Sequence, residues 1–529
     1  MMHPGAAGAR ADDQEQLHVF MVVGILGKGG MTAAMLNRAR MFVEHGIPTT
    51  VVTLQHDPDH ALRNAEYLEM GWLDPRVRVL NAFKERRASH RTARFRGRVR
   101  DRVATKVRAP RGSRSRTDPA TGHEHFVDTR ETVVMSRARR DDGTVSWVRW
   151  HTDGPGADRV VHYDRDGSAL RECDVVPGSE QLIEERFLTV TGHPYFVRTY
   201  HRTTGKPATA HETDERGRRT DRQVGGQTGW LADWLTQLAE SVPGDAVFIC
   251  DGPGSAGKVF RIPRRAAATL FMVHNNHYKA PFHPGAPVRT DYGGIFARSA
   301  EMDALVVLTQ EQATDIASEY PARDVIRVVP NSVDEKAVVT ASRDPLRVTM
   351  FARMVAQKNV LEAVDVFREV VARVPDATLD IFGAGRLTEA LEEHIKETGM
   401  GGSVRYRGYA TNASAEMAAS AAVLCTSLYE GLPVNFLEAY RVGTPVVSYA
   451  CKYGPKDLVD DGRTGFVVPF GERSLLADRI VEVLQNPDRS QVMGEEGRRT
   501  ILGRYSNAEV FATWKAVIDE SRERLAARR

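Results

Sequence analysis

Two glutamates with seven residues between them, Glu430 and Glu438, and two cations on one short stretch, Arg353 and Lys358, have the types and spacing to do chemistry in this 529-residue chain. Ser427-Leu-Tyr-Glu430-Gly-Leu-Pro-Val-Asn-Phe-Leu-Glu438-Ala runs from a strand end into a helix, so Glu430 falls in the loop and Glu438 in the first helical turns. Both carboxylates then reach one cleft edge. The helix start near Val434 and Asn435 offers free backbone N–H groups to a phosphate. Phe351-Ala-Arg353-Met-Val-Ala-Gln-Lys358-Asn follows a strand directly, where two cations can neutralise a diphosphate leaving group without a metal. A pair of solvated surface charges is the competing reading. His274 and His277, in His-Asn-Asn-His at another strand end, are candidates for contact with a substrate, against a structural role.

Three glycine-rich stretches need sorting. Gly24-Ile-Leu-Gly27-Lys-Gly29-Gly30 lies between strand and helix, but its spacing is not that of a dinucleotide fingerprint, and the next strand ends Thr53-Leu-Gln55 without a ribose-binding acid. A glycine pair before a helix still lets backbone amides approach a diphosphate or an acceptor oxygen. Gly252-Pro-Gly-Ser-Ala-Gly257-Lys258-Val259 misses the phosphate loop of nucleotide hydrolases. Val259 stands where a magnesium-binding hydroxyl belongs, Pro253 stiffens the loop, and no helix with a convincing start is expected after it. Phe382-Gly383-Ala-Gly385-Arg386 ends a strand and is either a tight turn or a nucleotide-facing loop.

The elements that position these groups form two α/β series. The first opens with the continuous apolar run from His18 to Leu26, a helix from Thr32 to His45 and a strand from Thr49 to Leu54. It resumes with a helix from Trp230 to Glu240 and strands Ala246–Cys250, Thr269–Val273 and Ala304–Leu308. The second begins at Arg347-Val-Thr-Met-Phe and continues with strands at Thr378–Phe382, Ser403–Tyr406, Ala422–Thr426 and Pro445–Tyr449. Ligands of such sheets bind at the carboxyl ends of the strands, which puts the site in the cleft between two facing domains. Between the halves of the first series, residues 126–229 alternate apolar and polar and are cut by turns at Asp142-Gly143, Asp166-Gly167 and Gly205-Lys206. That is an antiparallel β-meander, fit for oligomerisation or for acceptor binding.

Residues 84–125 carry a dense arginine run: Arg86, Arg87, Arg91, Arg94, Arg96, Arg98, Arg100 and Arg102. It is either a solvated helix or linker, or an electropositive surface for a polyanion or an anionic membrane. The chain as a whole has a net charge of +3, and its arginines have no interleaved aromatics, so nucleic acid is not an expected partner. Four scattered cysteines without a CxxC pair argue against a disulfide framework or structural zinc and fit a reducing cytoplasm. Residues 1–16 read as a disordered lead-in, and the apolar run after them is too short to span a bilayer and lacks a signal-peptide pattern. Peripheral attachment to the inner membrane face through the arginines is the remaining membrane option.

Arg353…Lys358-Asn, Phe382-Gly-Ala-Gly and Glu430-x7-Glu438 together resemble the retaining glycosyltransferase family 4, with its GT-B fold of two facing Rossmann-like domains. Gly29-Gly-Met-Thr-Ala-Ala-Met-Leu-Asn-Arg, His274-Asn-Asn-His277 and Tyr449-Ala-Cys-Lys-Tyr-Gly-Pro-Lys-Asp-Leu look like its Gram-positive branch. That branch holds poly(glycerol-phosphate) and poly(ribitol-phosphate) α-glycosyltransferases of wall teichoic acid, glycosyltransferases of serine-rich adhesins, and a β-rich insertion. The resemblance implies an acceptor domain at 17–83 and 230–335, a nucleotide-sugar domain at 336–505, and a helix at 506–529 packing back on the first domain. It implies that Arg353 and Lys358 hold the donor diphosphate, Glu430 lies against the donor sugar, and Glu438 bonds the ribose hydroxyls. His274 would contact the transferred sugar, with His277 the competing candidate. Gly29 and Gly30 would line the diphosphate, while Gly383, Gly385, Arg386, Gly408 and Tyr409 would form the nucleobase pocket beside Leu432, Pro433, Val434 and Asn435. No metal or cofactor is implied beyond a UDP-sugar co-substrate, and the resemblance leaves glucose, N-acetylglucosamine and galactose open as the donor sugar. A catalytically inactive chaperone or scaffold is the alternative outside enzymes, and self-association through the insertion, as a trimer, is a further expectation.

Overall fold

The computed structural model describes residues 17–89, 103–104, 107–153, 156–214, 218–220, 226–335, 339 and 341–529. The lead-in and the arginines at positions 91, 94, 96, 98, 100 and 102 lie outside the described residues.

Continuous apolar runs build strands buried on both faces, as parallel sheets require. The first sheet has seven such strands among the described residues, in the spatial order Ile326–Val328, Ala304–Val307, Ala267–Val273, Asp245–Cys250, Leu17–Val23, Thr49–Thr53, Arg78–Asn81. The chain leaves Leu17–Val23 toward one edge and Asp245–Cys250 toward the other. A crevice therefore opens at the carboxyl ends of these two strands, where Gly24 and Asp251 begin their loops. The second sheet runs Val404–Gly408, Thr378–Phe382, Asp344–Phe351, Ser420–Cys425, Val446–Tyr449, Gly465–Val468, all parallel. Its reversal falls between Asp344–Phe351 and Ser420–Cys425, which places the loops at 352–359 and 426–433 side by side.

Among the described residues the insertion is a nine-stranded antiparallel meander running in chain order from Arg114–Thr117 to Pro207–Glu212. Gly143 and Gly167 turn its hairpins at φ 79° and 81°, a conformation glycine adopts without steric cost. The sheet begins inside the stretch that the sequence marks as a basic segment: Arg114–Thr117 pairs with Glu124–Val127, and Ala82–Ser89 is a helix. Arg114-Ser-Arg-Thr is an edge strand exposed along its whole length, so it carries none of the apolar alternation by which strands are read. At the other end the helix Gly226–Glu240 starts before residue 230.

This meander shares a core with the first domain. Phe187, Tyr195 and Phe196 pack with Phe83 and Trp230. Phe196 stacks on Trp230 at 4.4 Å, and Tyr195 Oη donates to the Phe83 carbonyl at 3.0 Å.

The helix Asn507–Ala526, capped by Ser506, which accepts from the Glu509 amide, lies against the first domain. Trp514 meets Phe42 edge-on at 5.8 Å, Arg522 pairs with Asp245 at 2.9 Å, and Arg528 with Asp303 at 2.6 Å. Among the described residues no helix is long and apolar enough to cross a membrane.

One expectation is corrected here. The glycine-lysine run after Asp251 is itself a helix, Pro253–Val259, with proline at its first position, where a missing N–H costs nothing. Lys258 donates back to the Gly254 carbonyl, so the run offers no open loop to a phosphate.

Candidate functional site

The second domain supplies the charged half of the site. After Phe351 the chain lies along the 383–385 loop, with Ala352 N donating to the Phe382 carbonyl at 2.9 Å and Met354 N to that of Ala384 at 3.0 Å. The approach is so close that a β-carbon on Gly383 would lie 2.9 Å from the Ala352 carbonyl carbon, and one on Gly385 2.6 Å from the Met354 oxygen. Tyr406 Oη donates to the Gly383 carbonyl at 2.8 Å, and Gly383 N to that of Gly408 at 2.8 Å, so the 383–386 and 408–409 loops adjoin. Arg386 is exposed on the rim.

Arg353 is exposed, and its guanidinium donates to Gln357 Oε1 at 3.3 Å. Lys358 turns the other way. Its Nζ lies 2.5 Å from Glu430 Oε1, and the two side chains retain only 16% and 8% exposure. Burial works to lower the Lys358 pKa, but the charge of Glu430 and the hydrogen bond to it outweigh burial, and the ammonium is held above its ordinary range. The loop carrying Glu430 is pinned on both sides. Leu428 N donates to the Gln357 carbonyl at 2.8 Å, Gln357 Nε2 to that of Tyr429 at 2.9 Å, and Glu430 N to that of Lys452 at 2.8 Å.

Pro433 leads into the helix Val434–Arg441. Across the cleft stands the glycine pair of the first domain. A β-carbon on Gly29 would sit 3.8 Å from Arg353 Cδ, and one on Gly30 3.8 Å from Val434 Cβ. Gly29, Gly30, Arg353 and the start of this helix therefore face each other across a gap with backbone amides on both walls. Glu438 is half-buried on the same helix; burial raises its carboxyl above the ordinary range, with Arg441 opposing. The phenol of Tyr409 feels both Lys28 and Glu438 while its own burial raises it, so it stands at the far rim between the domains.

The two histidines part company. His274 Nε2 is 2.8 Å from Asp251 Oδ1, at the crevice of the first sheet. His277 is fully buried against Tyr278 and Tyr453, at ring distances of 4.1 and 5.9 Å, and 3.5 Å from Gln312 Nε2. Burial lowers its pKa to about 4, with Asp315 opposing and Lys452 adding to the shift. It is held neutral between the domains, with Nε2 buried and without a hydrogen-bond partner among the described residues.

Sequence reasoning missed Asp251 and Arg38. Asp251 is completely buried and ion-paired to Arg38 as well as bonded to His274. Burial would raise its carboxyl, yet Arg38 and His274 hold it below the usual carboxylate range. The available signal was an arginine within the buried face of the helix Gly30–Glu44, among Met35, Leu36, Ala39 and Met41.

Close contacts hold the domains together at the site. Asn276 Nδ2 donates to the Lys452 carbonyl at 3.3 Å, Lys452 Nζ pairs with Asp315 at 2.7 Å, and Asn331 Nδ2 donates to the Leu432 carbonyl at 3.0 Å.

The same arrangement of two facing parallel sheets with a β-rich insertion occurs in solved structures. A Staphylococcus aureus TarM variant in complex with fondaparinux, alpha-GlcNAc-glycerol and UDP superposes with a TM-score of 0.78 at 20% identity, over 94% of this chain and 99% of that one. The pneumococcal O-GlcNAc transferase GtfA in complex with UDP and GlcNAc does so at 0.75 and 17%, over 96% and 99%. The fold is GT-B. Residues 333–500, the second half of the GT-B pair, match the family model "Glycosyl transferases group 1". Among curated proteins the chain is 21% identical over 509 residues to the poly(ribitol-phosphate) alpha-N-acetylglucosaminyltransferase of Staphylococcus aureus, covering 94% of this chain and 98% of that protein. It is 25% identical over 291 residues to the poly(glycerol-phosphate) alpha-glucosyltransferase of Bacillus subtilis, covering 54% of this chain and 43% of that one. In GT-B terms, the charged loops, the helix start and the glycine pair all line one interdomain cleft.

Proposed function

We propose that this chain is a retaining glycosyltransferase of family 4 that transfers a hexose or N-acetylhexosamine from a UDP-sugar to a hydroxyl of a phosphate-containing wall polymer, without a metal. The observation that carries the reading is the convergence of Arg353, the buried Lys358–Glu430 pair, the start of the helix Val434–Arg441 and the glycine pair Gly29–Gly30 on one cleft. Such a wall of cations and helix-start amides suits a diphosphate whose charge grows as it leaves. In the proposed reaction Arg353 and Lys358 stabilise that charge, Glu430 lies against the donor sugar, and Glu438 takes the ribose hydroxyls. The acceptor attacks from the face the diphosphate leaves, and a departing phosphate oxygen takes its proton, so the configuration at the anomeric carbon is kept. The protein supplies position and field. The choice of UDP and of a teichoic acid acceptor is supported by the end-to-end likeness to the Staphylococcus aureus polymer glycosyltransferase.

A second reading keeps the chemistry and changes the acceptor to a serine-rich protein, supported by the equally complete overlap with the pneumococcal transferase. Both are tested together. UDP-, GDP- and ADP-sugars are offered with purified poly(ribitol-phosphate), poly(glycerol-phosphate) or a serine-rich peptide, in EDTA, to wild type and Glu430→Ala. Sugar incorporation into polymer that survives EDTA and disappears in the variant is the expected result. Tight UDP binding with transfer only to peptide would move the acceptor, and failure to bind any nucleotide sugar would sink the enzyme reading in favour of a scaffold.

A further inference from the structure

We propose that Asp251 is a positioning residue for His274, and that Arg38 holds it as the carboxylate that fixes the tautomer and direction of the imidazole. This rests on the glycosyltransferase reading for its catalytic consequence, though not for its structural content.

The geometry is a chain of three side chains from three elements. Asp251 follows the strand Asp245–Cys250 and is anchored by its own amide, which donates to the Val22 carbonyl at 2.9 Å. His274 follows the adjacent strand Ala267–Val273. Arg38 comes from the helix Gly30–Glu44, which starts at the glycine pair facing Arg353. The Asp251 carboxylate accepts from His274 Nε2 at 2.8 Å and from the Arg38 guanidinium on the same oxygen. With the ring proton on Nε2, Nδ1 of a neutral imidazole is left as an acceptor, suited to a substrate hydroxyl rather than to a carbonyl.

Stability alone does not account for this arrangement. An ion pair removed from water is a weak stabiliser unless its remaining polar atoms are satisfied. Here Asp251 Oδ2 and Arg38 Nε are both buried without a hydrogen-bond partner among the described residues. Buried polar atoms left unpaired in a native fold mark a place where something besides stability is served. The guanidinium is itself braced. It lies 5.0 Å over the ring of Trp514 and against the Met272 sulfur. Helix, strand ends and C-terminal helix thus converge behind one imidazole.

Two measurements test the proposal. The first needs no activity: 15N-histidine spectra of the wild-type protein at pH 8, with His274→Gln used to assign the resonance. The Nε2–H tautomer is expected, and the Nδ1–H tautomer would overturn the proposal whatever the protein transfers. The second is kinetic. Asp251→Asn is expected to lower kcat by about a hundredfold while KM for the donor and the affinity for UDP move less than about threefold. Because the variant leaves the Arg38 charge buried, Arg38→Met combined with Asp251→Asn is made beside it; it should melt closer to wild type and keep the loss in kcat. Losses from Asp251→Asn and His274→Ala that multiply in the double variant, or a wild-type kcat in Asp251→Asn, would show that the carboxylate does not act through His274. Absence of transfer by the wild type would defeat the function reading and leave the tautomer result standing.

Discussion

Replacing Gly431 by alanine tests whether the closed cleft is the working one. Gly431 has no left-handed φ, so alanine brings no backbone penalty of its own, and the argument rests on space. Its β-carbon would press into the His274 carbonyl, 2.7 Å from the carbonyl carbon and 3.1 Å from Asn275 Cα. All of these are main-chain atoms, which cannot swing aside as a flexible side chain can. Neither wall yields easily: Asp251 holds His274, and the 2.8 Å bonds from Leu428 N and Glu430 N hold the loop. Relief requires the domains to separate by roughly 1 Å, at a cost of about 1–3 kcal/mol in stability. A displacement of that size between the groups acting on donor and acceptor lowers the rate by about a hundredfold. The expected variant therefore melts a few degrees lower, still binds UDP through the second domain, and loses about a hundredfold in kcat/KM for transfer. Transfer within about threefold of wild type would refute the reasoning, because the contact between Gly431 and His274 would then play no part in catalysis.

Glu430→Gln should destabilise the protein by about 3 kcal/mol in denaturant titrations at pH 7, since it leaves the Lys358 ammonium buried without its counter-charge. The folded pKa of Lys358 is raised, so the contribution of the pair is complete below the unfolded lysine value and fades only as pH rises through the folded one; an equal loss at pH 7 and 9 is expected, and a loss confined to pH 9 would contradict it. Gly385→Ala, whose β-carbon would lie 2.6 Å from the Met354 oxygen at φ 157°, should weaken UDP binding in calorimetry by more than tenfold while far-UV dichroism is kept. His277 is held neutral with its pKa lowered to about 4, so stability is present above the unfolded histidine value and falls by up to about 1.4 kcal/mol per pH unit between pH 6.5 and 4. His277→Gln should reduce that slope in melting curves taken across this range, and an unchanged slope would assign the acid sensitivity to other groups.

The charged half of the site was legible because its chemistry lies in two unbroken stretches, 351–359 and 427–439, each starting at the end of an apolar run. The reversal of strand order in the second sheet is what brings them side by side. Arg38 and Asp251 stand 213 positions apart, and no spacing rule links them. Arg38 closes the stretch Gly29-Gly-Met-Thr-Ala-Ala-Met-Leu-Asn-Arg, whose resemblance gives it no role, and Asp251 directly precedes the glycine-lysine run without belonging to a motif. His274 and His277 could not be ranked from His-Asn-Asn-His because the difference between them is burial, set by Tyr453 from the other domain. The start of the meander was hidden for the opposite reason: an edge strand written in arginine, serine and threonine has no buried face to betray it.

The aromatic core that the meander shares with the first domain has a consequence for anything the sheet binds. With Phe187, Tyr195 and Phe196 locked against Phe83 and Trp230, the sheet cannot swing on a tether. Whatever is held on the sheet would therefore keep a constant offset from the crevice of the first domain.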